Sequence, residues 1–205
     1  MSHPPLAAEL AAVIQNRRSI RKYAPELISP AQILEIVALA GRAPSAWNLQ
    51  PWRFVAVVDP KTKSALQQVA YGQPQVASAP VVIVLYSDMI EALERVDDAL
   101  PHDATSDQRD KIRADITGYF GKLTAEQRDA WGRCQTYIAL GYLLLILESR
   151  GYGSSPMLGF DPAGVKQLLD LPNHAEVAAL VAFGKPAHSG RQSTRHNVKS
   201  LMRMV

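Results

Sequence analysis

The first regular pattern along the chain is a set of apolar residues at helical spacing. Leu6, Leu10, Val13 and Ile14 fall on one helical face. We therefore expect an amphipathic helix that ends near Asn16, just before a cluster of basic residues.

A capping signal begins the second predicted helix. Ser29 is a favourable N-cap residue, Pro30 suits the first turn, and Gln32 is placed for a capping box. The helix is expected to end at Gly41. Its apolar positions share one face: Ile33, Ile36, Val37 and Ala40.

Short apolar runs predict three strands, at residues 54–58, 81–86 and 177–183. Helices are predicted at residues 61–71 and 162–169. The run at 81–86 is rich in β-branched residues and shows little alternation, which is typical of a strand buried on both faces. We therefore expect a sheet covered by helices.

The segment from Asp88 to Arg133 is mainly charged and polar, with one apolar stripe formed by Ile112, Ile116 and Phe120. This pattern predicts a helical excursion, which is a candidate lid. The following run, residues 137–147, is apolar nearly all round, and we expect this helix at the centre of the core.

Composition fits one domain covering residues 1–205, with 47% apolar side chains and no internal repeat or low-complexity linker. The single cysteine, Cys134, lies in an apolar stretch without an adjacent base, so a core thiol is expected rather than a nucleophile. Residues 1–10 show no secretory pattern, and residues 137–147 are too few to span a bilayer. A cytoplasmic protein is expected.

Basic residues cluster near both ends of the chain, although the net charge is only +3. Residues 17–22 hold four cations, and residues 185–205 hold five with no acidic residue. Three interpretations are open: a nucleic-acid-binding surface, a solvated surface, or two halves of one phosphate site.

The common catalytic motifs are missing from the sequence. The five histidines form no His-Glu-x-x-His pair, and neither a Gly-x-Ser-x-Gly motif nor a Walker phosphate loop occurs. Neither a metal site nor a catalytic side chain is expected. If the chain is an enzyme, a bound cofactor carries the chemistry.

Residues 17–21, with the sequence Arg-Arg-Ser-Ile-Arg, are a candidate phosphate site. Arginine forks and a serine hydroxyl suit phosphate oxygens. In an extended segment, Arg17, Ser19 and Arg21 share one side. The alternative interpretation is a solvated basic end of the first helix.

A second candidate segment is the loop from Ala43 to Trp52, which combines small polar residues with two tryptophans between prolines. Such donors suit the edge of a heteroaromatic ring, and indoles cover apolar surface. The alternative is a turn whose tryptophans seal the core, which we expect of Trp52.

Taken together, these segments resemble the nitroreductase family of flavin mononucleotide (FMN) proteins. The matching pieces are residues 17–21, the Pro-Ser-x-x-Asn-x-Gln-Pro-Trp loop at 44–52, and Pro-Met-Leu-Gly-Phe at 156–160. The resemblance implies an α+β fold with a mostly antiparallel sheet flanked by helices. It also implies a homodimer with two FMN sites at the subunit interface.

The resemblance implies a role for each matching residue. Arg17 and Ser19 match phosphate ligands, Arg18 a position on the ribityl side, and Arg21 the basic residue facing the flavin pyrimidine. The partner subunit is expected to supply Pro44, Ser45 and Asn48.

The later segments complete the implied site. Pro156, Met157, Leu158 and Gly159 match the loop whose backbone N–H approaches flavin N5, although many relatives have Glu in place of Leu158. Arg195, with Arg191 as the reserve, is expected to close the phosphate site. Gln73 or Gln75 is expected at the ring edge.

The activity implied by the resemblance is a ping-pong transfer of electrons from NADH or NADPH, through flavin N5, to nitroaromatics, quinones, enones or free flavins. A specialised flavin reaction on the same fold, such as flavin fragmentation, reductive dehalogenation or peptide oxidation, is the alternative. A nucleic-acid-binding module is more remote because it leaves the loop at 44–52 unexplained.

Overall fold

A computed structural model describes residues 4–205, with side chains from residue 9 onward. Met1–His3 and the side chain of Leu6 therefore lie outside the described residues. The helices are α1 (Pro4–Asn16), α2 (Pro30–Ala40), α3 (Pro60–Val69), α4 (Pro74–Ser78), α5 (Met89–Glu94), α6 (Val96–Ala99), α7 (Ser106–Phe120), α8 (Ala125–Ser149), α9 (Pro162–Leu168) and α10 (Val198–Leu201). The strands are β1 (Trp52–Val57), β2 (Val81–Ser87), β3 (Gly153–Met157) and β4 (Glu176–Gly184).

The four strands form one antiparallel sheet in the order β1-β2-β4-β3. The strands β2 and β4 lie at its centre, and residues such as Val84 and Leu180 pair there. Every residue of β4 after Glu176 is buried, as expected of a strand covered on both faces. The predicted α+β fold is confirmed.

Alternate side chains of the central strands enter two hydrophobic layers, because successive residues of a strand point to opposite faces. Val82 and Val84 pack with Leu66 of α3 and Val76 of α4, together with residues of α9. On the other face, residues of β2 and β4 pack with α2 and α8: Ile83, Leu85, Val181, Phe183, Ile36, Leu143 and Leu147.

The local signals for the first two helices are confirmed. The first helix, α1, ends at Asn16, and α2 begins with the predicted capping box. The Ser29 N–H donates to Gln32 Oε1 at 2.9 Å, and the Gln32 N–H donates to Ser29 Oγ at 3.3 Å. Trp52 is buried as expected.

The interpretation of residues 137–147 needs a correction. They belong to a much longer helix, α8, which begins at Ala125 with a capping box at Thr124. Leu143 is buried, but Ile138 and Tyr142 are 38% and 42% exposed. Cys134 is also exposed, so the expectation of a core thiol was wrong. Residues 137–147 of α8 are apolar on nearly all sides, but only one face is buried against the sheet and the other lies on the surface.

The strand β3 was not predicted, since Pro156 to Gly159 was expected only as a loop near flavin N5. It contains Pro156, which cannot donate to a ladder and is tolerated at the edge of a sheet. Its side chains at Ser154 and Ser155 are polar but buried. The usual strand signals are therefore absent from its sequence.

The segment from Asp88 to Arg133 is helical, as predicted. Its helices enclose a separate small core of Leu49, Met89, Val96, Ile116 and Phe120. No helix in the described part of the chain is long and apolar enough to cross a membrane. Within residues 4–205, no cluster of three or more His, Cys, Asp or Glu residues is arranged to hold a metal ion.

Candidate cofactor site

The basic segment after α1 lies along the edge of the sheet. Ser19 forms a parallel bridge with Ser154 of β3, and the Ile20 N–H donates to the Ser154 carbonyl at 2.9 Å. Ile20 packs directly on Gly153, where an added Cβ atom would lie 2.6 Å from Ile20 Cγ1. Glycine at 153 is therefore needed for the segment to approach β3 this closely.

The side chains of this segment alternate between two sides. Arg18 and Ile20 both face Gly190, where an added Cβ would lie 2.9 Å from an atom of each. The Arg18 guanidinium donates to the carbonyls of Gln15 and Arg17 at the end of α1. Because neighbouring residues of an extended segment point in opposite directions, the other side carries Arg17, Ser19 and Arg21.

Arg17 lies in an unusual electrostatic environment. Burial lowers the pKa of its guanidinium, and repulsion from Arg195 lowers this pKa further. Its Nη1 atom is buried and has no hydrogen-bond partner in the described structure. The negative charge of Glu148 raises the pKa of Arg17 and so opposes these two effects. Burial also raises the pKa of the Glu148 carboxyl group itself.

Two arginines that repel each other, one with a buried donor left unpaired, form a group that an anion would stabilise. Arg195 is the arginine of the C-terminal segment whose charge acts on Arg17, whereas Arg191 does not contribute to the shift of that pKa. The C-terminal segment therefore lies against the basic segment at 17–21, with Gly190 in contact with Arg18 and Ile20.

The loop after β3 is held by the turn between α3 and α4. The Gln73 side-chain amide donates to the Gly159 carbonyl at 2.7 Å. Buried Gln75 donates to Gln73 Oε1 at 3.1 Å and contacts Met157 Sδ at 3.2 Å. Leu158, at the tip of the loop, is 64% exposed. The structure thus brings Gln73 and the loop at 156–159 together.

The loop after α2 is tied by its own polar side chains. Ser45 Oγ accepts from the Gln50 N–H at 3.0 Å, and Asn48 Nδ2 donates to the Ala99 carbonyl at 3.2 Å. The Gln50 side chain donates back to Asn48. Pro44 at the start of the loop is exposed.

Backbone strain marks this same loop. Trp47, Asn48 and Gln50 have φ angles of 51°, 56° and 45°, in the left-handed region that side chains disfavour. Such strain is common at binding sites. The Trp47 ring packs on Tyr119 and Trp131, with ring centroids 5.1 Å and 6.5 Å away. The sequence gives no signal that these two aromatic residues belong beside the loop.

The two candidate segments lie at different places along α8. The Ala46 N–H donates to Gln135 Oε1 at 3.0 Å, whereas Arg17 feels the charge of Glu148. Thirteen residues separate Gln135 from Glu148, which corresponds to about 20 Å at the rise of an α-helix. Within one chain, the loop at 44–52 and the segment at 17–21 are therefore not brought together.

Comparison with known families decides the identity of the fold. Residues 14–185 match the sequence model of the nitroreductase family. The chain belongs to the nitroreductase family. The resemblance inferred from the motifs is confirmed, and so is the expected enzyme class, an NAD(P)H-dependent flavin oxidoreductase.

Nitroreductase relatives match nearly the whole chain. An NADH dehydrogenase of Thermus thermophilus is 48% identical over 192 residues, covering 94% of this chain and 93% of the relative. An enone reductase of CLA biosynthesis from Lactiplantibacillus plantarum is 28% identical, covering 94% and 92%. A crystal structure described as a nitroreductase from Exiguobacterium sibiricum, in complex with FMN, has a TM-score of 0.87 and 24% identity, covering 96% and 97%. At that identity, the last similarity supports the fold alone.

The residues of this nitroreductase fit FMN at the phosphate end. The unpaired Nη1 atom of Arg17 and the nearby charge of Arg195 suit a dianionic phosphate. Near Gln73, the N–H groups of Leu158 and Gly159 have no acceptor within the described residues. They are available to a ring nitrogen.

Proposed function

We propose that this nitroreductase binds FMN and uses it to transfer electrons from NADH or NADPH to small oxidants. The observation that carries the proposal is the buried, unpaired Arg17 Nη1 atom next to the charge of Arg195. A phosphate would pair that donor and offset the repulsion between the two cations.

Each residue of the basic segment has a proposed task. Arg17, Ser19 and Arg195 bind the phosphate, and Arg21 on the same side lies toward the pyrimidine ring. A cation there stabilises the negative charge of a reduced ring. Arg18 faces the other side. Its guanidinium donates to the carbonyls of Gln15 and Arg17 and so holds the backbone of Arg17 in place. We propose that Arg18 acts in this way on the ribityl side.

We propose that the redox end is formed by the loop at 156–159 and by the partner subunit. The free N–H groups of Leu158 and Gly159 are the donors offered to the ring. Pro44, Ser45 and Asn48 come from the partner, which agrees with the separation of the two segments along α8 in one chain.

A second copy of the chain is also supported by exposed apolar surface. These side chains lie on α1 and α8, and each is at least 38% exposed: Leu10, Ile14, Tyr137, Ile138 and Tyr142. The two helices contact each other, and exposed apolar side chains concentrated on neighbouring elements are typical of an interface. We propose a homodimer with two shared sites.

When bound, FMN would supply the redox chemistry, namely hydride uptake from the nicotinamide and reduction of the oxidant, and one pocket would serve both substrates in turn. The proposed oxidants are nitroaromatics, quinones, enones and free flavins. The names of the two curated relatives, an NADH dehydrogenase and an enone reductase, agree with this range. No side chain has to act as a nucleophile, in line with the missing catalytic motifs.

The simplest test is the absorption spectrum of the purified protein, followed by an NAD(P)H oxidation assay with added FMN. We expect a yellow protein, or a colourless one that binds FMN and then oxidises NADH or NADPH. A protein that neither binds FMN nor oxidises the nicotinamide refutes the proposal. Steady-state kinetics with menadione and a nitroarene should give parallel double-reciprocal lines, and intersecting lines contradict the ping-pong scheme.

A further inference from the structure

A short turn between α3 and α4 holds the backbone on one side of the proposed redox loop. The Tyr71 hydroxyl donates to the Phe160 carbonyl at 3.2 Å, and the Gln73 amide donates to the Gly159 carbonyl at 2.7 Å. The Asp161 N–H donates to the Val69 carbonyl at 2.7 Å. Three consecutive residues, Gly159 to Asp161, are thus bound to the end of α3 and the turn that follows it.

The bonds leave only a small part of the loop free. On the other side, Met157 is fixed in β3 by pairing with Leu180. Between these fixed points lie the N–H groups of Leu158 and Gly159, which have no acceptor among the described residues. Their direction is set by the two anchored ends of the loop.

The conformation of Tyr71 is not explained by burial. Its side chain is 70% exposed, yet its φ angle is 55°, and Gly72 follows at 74°. A non-glycine residue keeps this left-handed backbone only where the surrounding structure requires it. The end of α3 supplies that requirement, because the Gly72 N–H donates to the Gln67 carbonyl at 2.9 Å across the turn. In this turn, the Tyr71 hydroxyl reaches the loop.

The orientation of the Gln73 amide is also fixed. Buried Gln75 donates to Gln73 Oε1, so the Gln73 nitrogen must face the Gly159 carbonyl. The second hydrogen of this nitrogen is directed to the Ala70 carbonyl at 3.2 Å. With both hydrogens used inside the chain, Gln73 acts on the ring edge through the loop.

We propose that Tyr71 and Gln73 are positioning residues, which hold the loop so that its free N–H groups meet the redox ring of the bound flavin. The proposal rests on the proposed function, because it assigns these N–H groups to FMN. It adds Tyr71 to the site and changes the expected role of Gln73 from direct contact to support.

The test uses Tyr71→Phe, Gln73→Leu and the double variant, with Gln67→Leu as the matched control. Gln67 donates to the Gly72 carbonyl at 3.1 Å in the same turn but makes no hydrogen bond to the loop. Hydrogen–deuterium exchange of the peptide at 156–161, stopped-flow reduction of the flavin by NADH, and the FMN dissociation constant are measured for each protein.

In the double variant, we expect exchange at Asp161 to be about tenfold faster and flavin reduction about tenfold slower, since small displacements in a redox site are costly. The FMN dissociation constant should change less than about threefold, and Gln67→Leu should resemble the wild type. An unchanged exchange rate in the double variant overturns the proposal. Faster exchange with an unchanged rate of flavin reduction also overturns it. So does a Gln67→Leu variant that changes both rates as much as the double variant does. A wild-type protein without FMN refutes the proposed function, while the exchange measurement still tests the anchoring of the loop.

Discussion

At the scale of single residues, the most informative group is the Arg17 guanidinium. A buried donor without a partner is unfavourable by about 1–3 kcal/mol, and here Arg195 adds repulsion. A protein tolerates such a group when a ligand supplies the missing partner. In the proposed site, Arg17 would thus contribute to FMN binding at some cost to the stability of the ligand-free chain.

Replacing Arg17 should separate its effect on FMN binding from its effect on the stability of the FMN-free protein. We expect Arg17→Ala to raise the FMN dissociation constant about 10–100-fold, which corresponds to losing a charge-assisted hydrogen bond of about 1.5–3 kcal/mol. The melting temperature of the FMN-free protein should not fall. Titration by flavin fluorescence and thermal unfolding measure the two quantities.

The two C-terminal arginines provide a matched pair for the same measurement. Arg195→Ala should weaken FMN binding, because Arg195 is the arginine whose charge reaches Arg17, whereas Arg191→Ala should not. If Arg191→Ala weakens FMN binding and Arg195→Ala does not, the phosphate contact belongs to Arg191.

Glu148 predicts a pH dependence of binding. Its carboxyl group makes no hydrogen bond to Arg17 in the described structure, and its burial raises its pKa above the ordinary 4.5. Above that raised pKa the group is charged and repels phosphate, so Glu148→Gln should bind FMN about threefold more tightly near pH 8. As the pH falls through the raised pKa toward 4.5, wild-type Glu148 becomes neutral and the difference should disappear.

The control for this experiment lies on the same helix. Glu126→Gln makes the same change of charge near the start of α8, far from Arg17, and should leave FMN affinity unchanged at every pH. A tighter affinity that persists below the pKa of Glu148 would contradict the electrostatic explanation.

At the scale of secondary-structure elements, α8 has two apolar faces, one buried and one exposed. One face packs Leu143 and Leu147 against the sheet, and the other leaves Ile138 and Tyr142 on the surface. The apolar pattern predicted a helix here, but it cannot distinguish a face that packs against the sheet from one that stays on the surface. The exposed position of Cys134 has the same cause.

A charge on the exposed face of α8 should dissociate the proposed dimer. We expect Ile138→Glu to give a folded monomer that loses FMN, because burying a carboxylate in an apolar interface is strongly unfavourable. Size-exclusion chromatography with light scattering gives the mass, and circular dichroism checks the fold.

Val58 offers the matching substitution elsewhere on the surface. It is 50% exposed and lies just after β1, so Val58→Glu makes a similar chemical change outside α8. This variant should keep the mass and FMN content of the wild type. A dimeric Ile138→Glu protein with full FMN content would exclude this face as the interface.

The strand β3 and the loop at 44–52 show why some elements could not be predicted from sequence. The strand contains Pro156 and buried serines, and only its long-range pairing with β4 makes it a strand. The left-handed backbone of Trp47 and Gln50 likewise has no local signature, because neither residue type favours that region. In contrast, the capping box of α2 depends on neighbouring residues alone, and it was predicted correctly.

At the scale of the whole molecule, each chain carries two proposed half-sites that are about 20 Å apart along α8. A two-fold axis brings different surfaces of two identical chains together, and it creates two equal sites when it does so. In the proposed dimer, residues 17–21 of one chain thus complete the site begun by residues 44–48 of the other. Each of the two proposed sites therefore needs residues from both chains.

Mixing two defective variants tests this arrangement directly. Arg17→Ala and Asn48→Ala homodimers should each have weakened sites, but a heterodimer of the two combines both defects in one site and leaves the other site intact. After unfolding and refolding an equal mixture, about a quarter of all sites should regain wild-type FMN affinity. Flavin titration of the mixture measures this fraction.

Separate refolding of each variant is the control, and neither alone should regain affinity. If both half-sites came from a single chain, the mixture would show only the average of the two parents. That result would refute the shared site while leaving the dimer itself untouched.

The length of α8 has a consequence for how far the proposed dimer can vary. One copy of α8 reaches from one proposed half-site to the other, so a single helical turn inserted between Gln135 and Glu148 would separate the two half-sites by about another 5.4 Å. In the proposed dimer, the same insertion acts on both shared sites at once. We therefore expect insertions between these two residues to be poorly tolerated.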